Sequence, residues 1–146
     1  MIFLFYNDQQ KREILMQHYL KPNNKVASID ENKIEKFGET CSDHLELHLK
    51  IDNNQITELN FAGAGCVFFL ASTDLLIDRL KGLNISQAQE LLTKYELMIN
   101  QELDLNEENI EFLNKLLVFE NIKVHQNRIN CVLMLPRAIK QSLTNV

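Results

Sequence analysis

The sequence predicts an α+β domain in which helices pack on one face of a small antiparallel sheet. Period-two alternation of leucines is concentrated between residues 44 and 61, apolar residues recur at helical spacing on both sides of that stretch, and helical patterns dominate the second half. Strands early and helices late favour sheet and helices as separate layers. At 146 residues, 45% of them hydrophobic, the chain has material for one domain with a real core, and with only four Gly and two Pro it has little for linkers. A single domain spanning residues 1–146 is expected.

An opening helix is expected from Asp8 to Leu20, where Ile14, Leu15, Tyr19 and Leu20 recur at helical spacing and Pro22 disfavours helix in the residue before it. Residues 23–40 are polar and punctuated, a loop with one short strand. Leu45, Leu47, Leu49 and Ile51 alternate with His44, Glu46, His48 and Lys50, which is the pattern of a half-buried strand. Asp52-Asn53-Asn54 is turn chemistry, and Ile56, Leu59 and Phe61 continue as a second strand with one residue out of step, as a bulge produces. Ala62-Gly63-Ala64-Gly65 is expected to break that strand, and Cys66 to Lys81 reads as a helix with Gly82 just past its end. Ser86 is the expected cap of a third helix reaching Ile99. An acidic stretch, Glu102 to Glu111, leads into a helix carrying Ile110, Leu113, Leu116 and Leu117. Asn121–Asn127 is a polar loop, and a final helix is expected from Asn130 to Leu143, with Pro136 unexplained in its interior.

The net charge of −5 and pI near 5.4 supply no basic stripe for a phosphate backbone, so no nucleic-acid partner is expected. Met1 to Tyr6 is too short for a signal-peptide core and lacks basic residues before it; it is left to pack on the domain or on a neighbouring subunit. No segment approaches the roughly 18 apolar residues of a membrane span. Three Cys, an odd number in a chain large enough to fold without disulfides, favour a reducing compartment, the cytoplasm, and thiols kept for metal or chemistry.

The candidate site is Cys41, Asp43, Cys66 and Cys131. Cys41 and Asp43 are two apart, so a strand reaching back to them would aim both at the face of Leu45 and Leu47. Cys66 stands where a glycine-rich turn enters a helix and Cys131 near the start of the last expected helix, so each sulfur is expected near the positive end of a helix dipole, which favours thiolate. Three thiolates and a carboxylate suit Zn²⁺, and Arg128 could help offset their charge. The alternative is that each Cys is a small core hydrophobe. His44 and His48 fall on the solvent face, with His44 also a possible donor to Asp43. His18 ends the first helix, where a cation suits the dipole. Ser72 is expected to back-bond to a carbonyl, and the run Glu107, Glu108, Glu111 and Glu120 to be a solvated face.

Four pieces in order, His18-Tyr19-Leu20-Lys21-Pro22-Asn23-Asn24-Lys25, Cys41-Ser42-Asp43, Phe61-Ala62-Gly63-Ala64-Gly65-Cys66 with Ala71-Ser72, and Arg128-Ile129-Asn130-Cys131, resemble the IscU/NifU-N-terminal family of iron–sulfur assembly proteins. The similarity spans about Asp8 to Ser142. It is nearest the SufU branch, because the interval between Cys66 and Cys131 leaves room for a helical insertion within about residues 100–120, and because Asn130 stands where scaffold members carry a His. The resemblance implies zinc held by Cys41, Asp43, Cys66 and Cys131, and Cys41 as acceptor of persulfide sulfur from a SufS-like cysteine desulfurase. It further implies a sulfurtransferase-like carrier that relays sulfur to a downstream iron–sulfur assembly scaffold, with Arg128 in an electrostatic or partner-contact role. Ser42 departs from the family's usual Gly after the first Cys, which restricts the backbone there if positive φ is required. The same ligands would serve a scaffold carrying an Fe–S cluster, or an interaction domain with purely structural zinc.

Overall fold

The computed structural model describes residues 6–38 and 42–144. The α+β class with a three-stranded antiparallel sheet of order β1-β2-β3 is as the alternation predicts: β1 is Ile34–Phe37, β2 His44–Asp52 and β3 Gln55–Ala64. Leu45, Leu47, Ile56, Leu59 and Phe61 turn inward to a continuous core with the helices. The opposite face of the sheet is laddered with charge: His44 pairs with Glu35, Lys33 with Glu46 and His48 with Glu58. The out-of-step residue is Thr57, since Lys50 faces Glu58 while Ile51 faces Ile56, and Thr57 Oγ1 donates back to the Lys50 carbonyl at 3.2 Å.

The first helix, α1, is Asp8–Leu20, closed at its start by a capping box between Asn7 and Gln10. Three boundaries differ from expectation. β3 runs through Gly63 to Ala64 instead of breaking at Ala62, because Gly63 adopts φ +151° and a Cβ there would meet the His44 carbonyl oxygen at 2.1 Å, so glycine extends the ladder where any side chain would end it. α2 is Val67–Leu80, with Cys66 as its N-cap. α3 is Ile85–Ile99, capped by Asn84 with Gln87 reaching back, which places Ser86 inside the helix.

Within residues 100–120 lie α4, Glu107–Leu113, and a 3₁₀ run, Asn114–Phe119, so Leu116 and Leu117 belong to the 3₁₀ run and not to the helix of Ile110 and Leu113. The expected polar loop contains a 3₁₀ turn, Ile122–Val124. The expected final helix is two: α5, Gln126–Val132, and α6, Met134–Thr144. That break accounts for Pro136, which stands in the first turn of α6, where its missing N–H costs nothing. The Val132 carbonyl, left without a helical partner where α5 ends, accepts from the buried Tyr95 hydroxyl at 2.9 Å. Among the described residues no helix is long and apolar enough to cross a membrane.

Candidate metal centre

The centre is built where the β2–β3 ladder ends. His44 faces Ala64 as the last pair, so the next residues outward, Asp43 and Gly65, meet across the gap. A Cβ on Gly65 would lie 2.2 Å from Asp43 Oδ1 and 2.6 Å from the Phe69 ring; the carboxylate occupies the space that a side chain at 65 would need. Asp43 is buried, 3% exposed, and its alternation with exposed Ser42 and half-buried His44 puts it on the core face with Leu45 and Leu47. Its Oδ1 accepts the Cys66 backbone N–H at 2.9 Å, which leaves Oδ2 turned to the Cys66 sulfur at 3.7 Å.

Cys66 caps α2 with sulfur. Its Sγ accepts the Phe69 N–H at 3.5 Å, in the place a serine or asparagine oxygen usually takes, and this is the helix-start environment expected for it. Cys131 arrives from the other side, buried at 2% exposure, and its Sγ, Cys66 Sγ and an Asp43 carboxylate oxygen all lie within 4.8 Å of one another. The dipole expectation for Cys131 is corrected: it is the penultimate residue of α5, at the negative end of that helix, and its thiol points toward the Asn127 carbonyl at 3.7 Å. Burial, followed by the neighbouring Asp43 and Cys66, pushes the Cys131 thiol far above its ordinary value.

Cys41, the remaining candidate, lies outside the described residues, as does Met1–Phe5 of the apolar start. Arg128 stands one turn before Cys131 on α5, and its guanidinium stacks over the Phe68 ring at 4.8 Å, beside the start of α2. His44 is no donor to Asp43: its ring stacks on exposed Phe37 at 4.4 Å and its Nε2 lies 2.6 Å from Glu35, on the open face of the sheet. Ser72 back-bonds to the Phe69 carbonyl at 3.1 Å as expected. His18 does more than end α1; it is buried and bonded to Asp74 of α2 at 2.7 Å. Sequence reasoning passed over Asp74, although a carboxylate inside the apolar run of α2 is a signal that a buried partner must exist.

The donor set fits zinc. In a tetrahedral site with Zn–S near 2.3 Å and Zn–O near 2.1 Å, neighbouring ligand atoms stand about 3.6–3.8 Å apart, and the Asp43–Cys66 separation of 3.7 Å matches that edge. The backbone N–H on Oδ1 restricts Asp43 to one ligating oxygen, and the thiols supply the soft donors that zinc or an iron–sulfur cluster takes.

The NifU-like N-terminal domain family matches residues 10–132. The chain is 25% identical over 137 residues, 93% of its length and 90% of the relative's, to the zinc-dependent sulfurtransferase SufU of Bacillus subtilis. It is also 25% identical over 107 residues, 73% of its length and 72% of the relative's, to the iron–sulfur cluster assembly scaffold protein IscU of Thermotoga maritima. The crystal structure of SufU from Fervidobacterium islandicum AW-1 superposes with a TM-score of 0.75 at 22% identity, covering 94% of this chain and 96% of that one. A hypothetical protein solved at 2.3 Å resolution superposes with a TM-score of 0.82 at 19% identity, covering 94% and 99%. With a family match across most of its length, and with the ladder-end carboxylate and two converging thiols within that match, the chain belongs to the NifU-like N-terminal domain family, among the SufU/IscU-like proteins of iron–sulfur cluster assembly.

Proposed function

We propose that this protein is a zinc-dependent sulfur carrier that accepts persulfide sulfur through Cys41 from a SufS-like cysteine desulfurase and relays it to an iron–sulfur assembly scaffold in the cytoplasm. The observation that carries this reading is the convergence of Asp43, Cys66 and Cys131 within 4.8 Å, three donors from three separate elements. The Bacillus relative, named a zinc-dependent sulfurtransferase, supports the choice of metal and reaction. Zinc would be held by Asp43, Cys66 and Cys131 with Cys41 as fourth ligand. It supplies a redox-silent cation that keeps thiolates deprotonated. The chain's residues 1–146 are taken as one domain, with α4 and the following 3₁₀ run as the SufU-type insertion.

The transfer balances without an outside oxidant. The Cys41 thiolate attacks the outer sulfur of the desulfurase persulfide, the S–S bond of the donor breaks, and the desulfurase cysteine leaves as thiolate while Cys41 becomes the persulfide. Asp43, pinned through Oδ1, keeps its place during this exchange, and Arg128 on the rim stabilises the anionic leaving group or contacts the desulfurase.

The second reading, a scaffold for an Fe–S cluster on the same residues, is favoured by the Thermotoga IscU relative. Metal analysis and visible absorbance of anaerobically purified protein decide between them. One tightly held zinc and no visible band support the carrier, and a broad sulfur-to-iron band overturns it. Stimulation of SufS turnover separates the carrier from a domain with merely structural zinc. With ³⁵S-cysteine and desulfurase, Cys41→Ala is expected to stay folded and take no label; label found on another residue of that variant refutes Cys41 as acceptor.

A further inference from the structure

The strongest feature the metal centre does not use is a buried polar knot at the far side of α2. Asp74 is fully buried, and its carboxylate takes four donors: His18 Nδ1 at 2.7 Å and the Asn23 N–H at 3.1 Å on Oδ2, the Asn24 N–H at 2.9 Å and Asn24 Nδ2 at 3.0 Å on Oδ1. His18, Asp74 and Asp78 also offer ligand atoms within 4.8 Å of one another, but with both Asp74 oxygens already saturated by N–H donors the knot is not a second cation site.

Its reach is toward β3. The Asn24 carbonyl accepts the Phe61 N–H at 3.0 Å and the Val26 N–H donates to the Phe61 carbonyl at 2.8 Å, so residues 24–26 lie as a parallel bridge along the edge of β3. Asn24 is thereby fastened to α2 through Asp74 and to β3 through Phe61. Between those two fastened points lie the end of β3, the Gly65–Cys66 turn and the first half of α2, the path that sets Gly65 against Asp43 and the Cys66 sulfur at the helix cap. Two buried polar atoms in the knot, His18 Nε2 and Asn24 Oδ1, have no partner among the described residues; a knot kept only for stability would more readily be replaced by apolar side chains.

We propose that His18, Asn24 and Asp74 are positioning residues of the metal centre: they clamp α2 to the edge of β3 and so fix the Cys66 sulfur relative to Asp43 and Cys131. This rests on the metal-site reading above. The clamp acts through geometry, because ligand atoms must be held within a few tenths of an ångström for tight zinc binding.

The probe is Co²⁺, added to the metal-free full chain, with affinity read by competition with Zn²⁺ and site geometry by the visible and thiolate charge-transfer bands. His18→Leu and Asn24→Ala are expected to lower affinity at least about tenfold, as loss of outer supporting partners does, and to shift the bands. His18→Asn, which keeps an N–H donor near the Nδ1 position, is expected to restore both. Asn84→Ala, which removes the α3 cap away from both the clamp and the metal centre, controls for simple loss of stability and should leave the bands unchanged. Asn24→Ala removes only an amide and carries the test should His18→Leu fail to fold. Wild-type affinity and bands in these variants, whatever their thermal stability, overturn the clamp while leaving the metal site standing, as does a His18→Asn protein that binds no better than His18→Leu. A wild-type chain that binds no Co²⁺ removes both readings.

Discussion

Gly65→Ala tests the centre with one methyl group. The added Cβ would lie 2.2 Å from Asp43 Oδ1 and 2.6 Å from Phe69 Cδ2, against an ordinary contact of 3.4 Å or more. Both contacts must open, the fully buried Phe69 ring by about 0.8 Å and the carboxylate by about 1.2 Å, which are the shortfalls from 3.4 Å. The movement breaks the 2.9 Å bond from the Cys66 N–H and draws Oδ2 away from the sulfur. A hydrogen bond to a charged group contributes about 1.5–3 kcal/mol, and about 1.4 kcal/mol is tenfold in affinity, so zinc binding should weaken roughly 10- to 100-fold. Folding of the metal-free chain should suffer about 1–3 kcal/mol, the usual cost of overpacking. Competition against a chromophoric chelator measures the first, urea unfolding of metal-free protein the second. Zinc affinity within threefold of wild type would refute the cross-ladder placement of Asp43 as a ligand.

Tyr95→Phe removes the hydroxyl that bonds the Val132 carbonyl at the end of α5 and should cost about 1–3 kcal/mol in urea unfolding; an unchanged midpoint refutes it. Arg128→Ala should keep full zinc content and lose no more than about 1 kcal/mol, the cation–π contribution over Phe68, while lowering stimulation of the desulfurase; unchanged stimulation removes its contact role. Burial beside Asp43 and Cys66 holds the metal-free Cys131 thiol protonated at neutral pH, and the thiolate must form for metal to bind. Zinc uptake should therefore release protons and affinity should rise with pH, which calorimetry in buffers of different ionisation enthalpy checks; pH-independent affinity between about pH 6 and 8 contradicts it.

Much of the fold was legible because periodicity reports burial directly: Leu45 and Leu47 alternate in sequence and are fully buried in the structure. Boundaries were harder, because they depend on which of several polar residues wins a cap. Asn84 prevailed over Ser86 through its reciprocal bond with Gln87, a pair readable as a capping box once Gln is accepted in the role of Glu. The split between α5 and α6 was hidden because the carbonyl left open where α5 ends, that of Val132, is satisfied by Tyr95, a residue 37 positions away. The same distance problem concealed the surroundings of Cys131: sequence spacing located the thiol but not the end of the helix it occupies. Asp43 facing Gly65 could be read only after the β2–β3 register was known. The knot around Asp74 likewise joins residues fifty or more apart, and no local pattern points from one to the other.

α1, α3 and α4 begin with an asparagine cap, Asn7, Asn84 and Asn106, whereas α2 begins with sulfur. A single-nucleotide drift of Cys66 to serine would give α2 a better-bonded start. On the proposed reading such a chain would keep its helix start and lose a metal ligand, because sulfur is a weaker cap for α2 than the oxygen that would replace it.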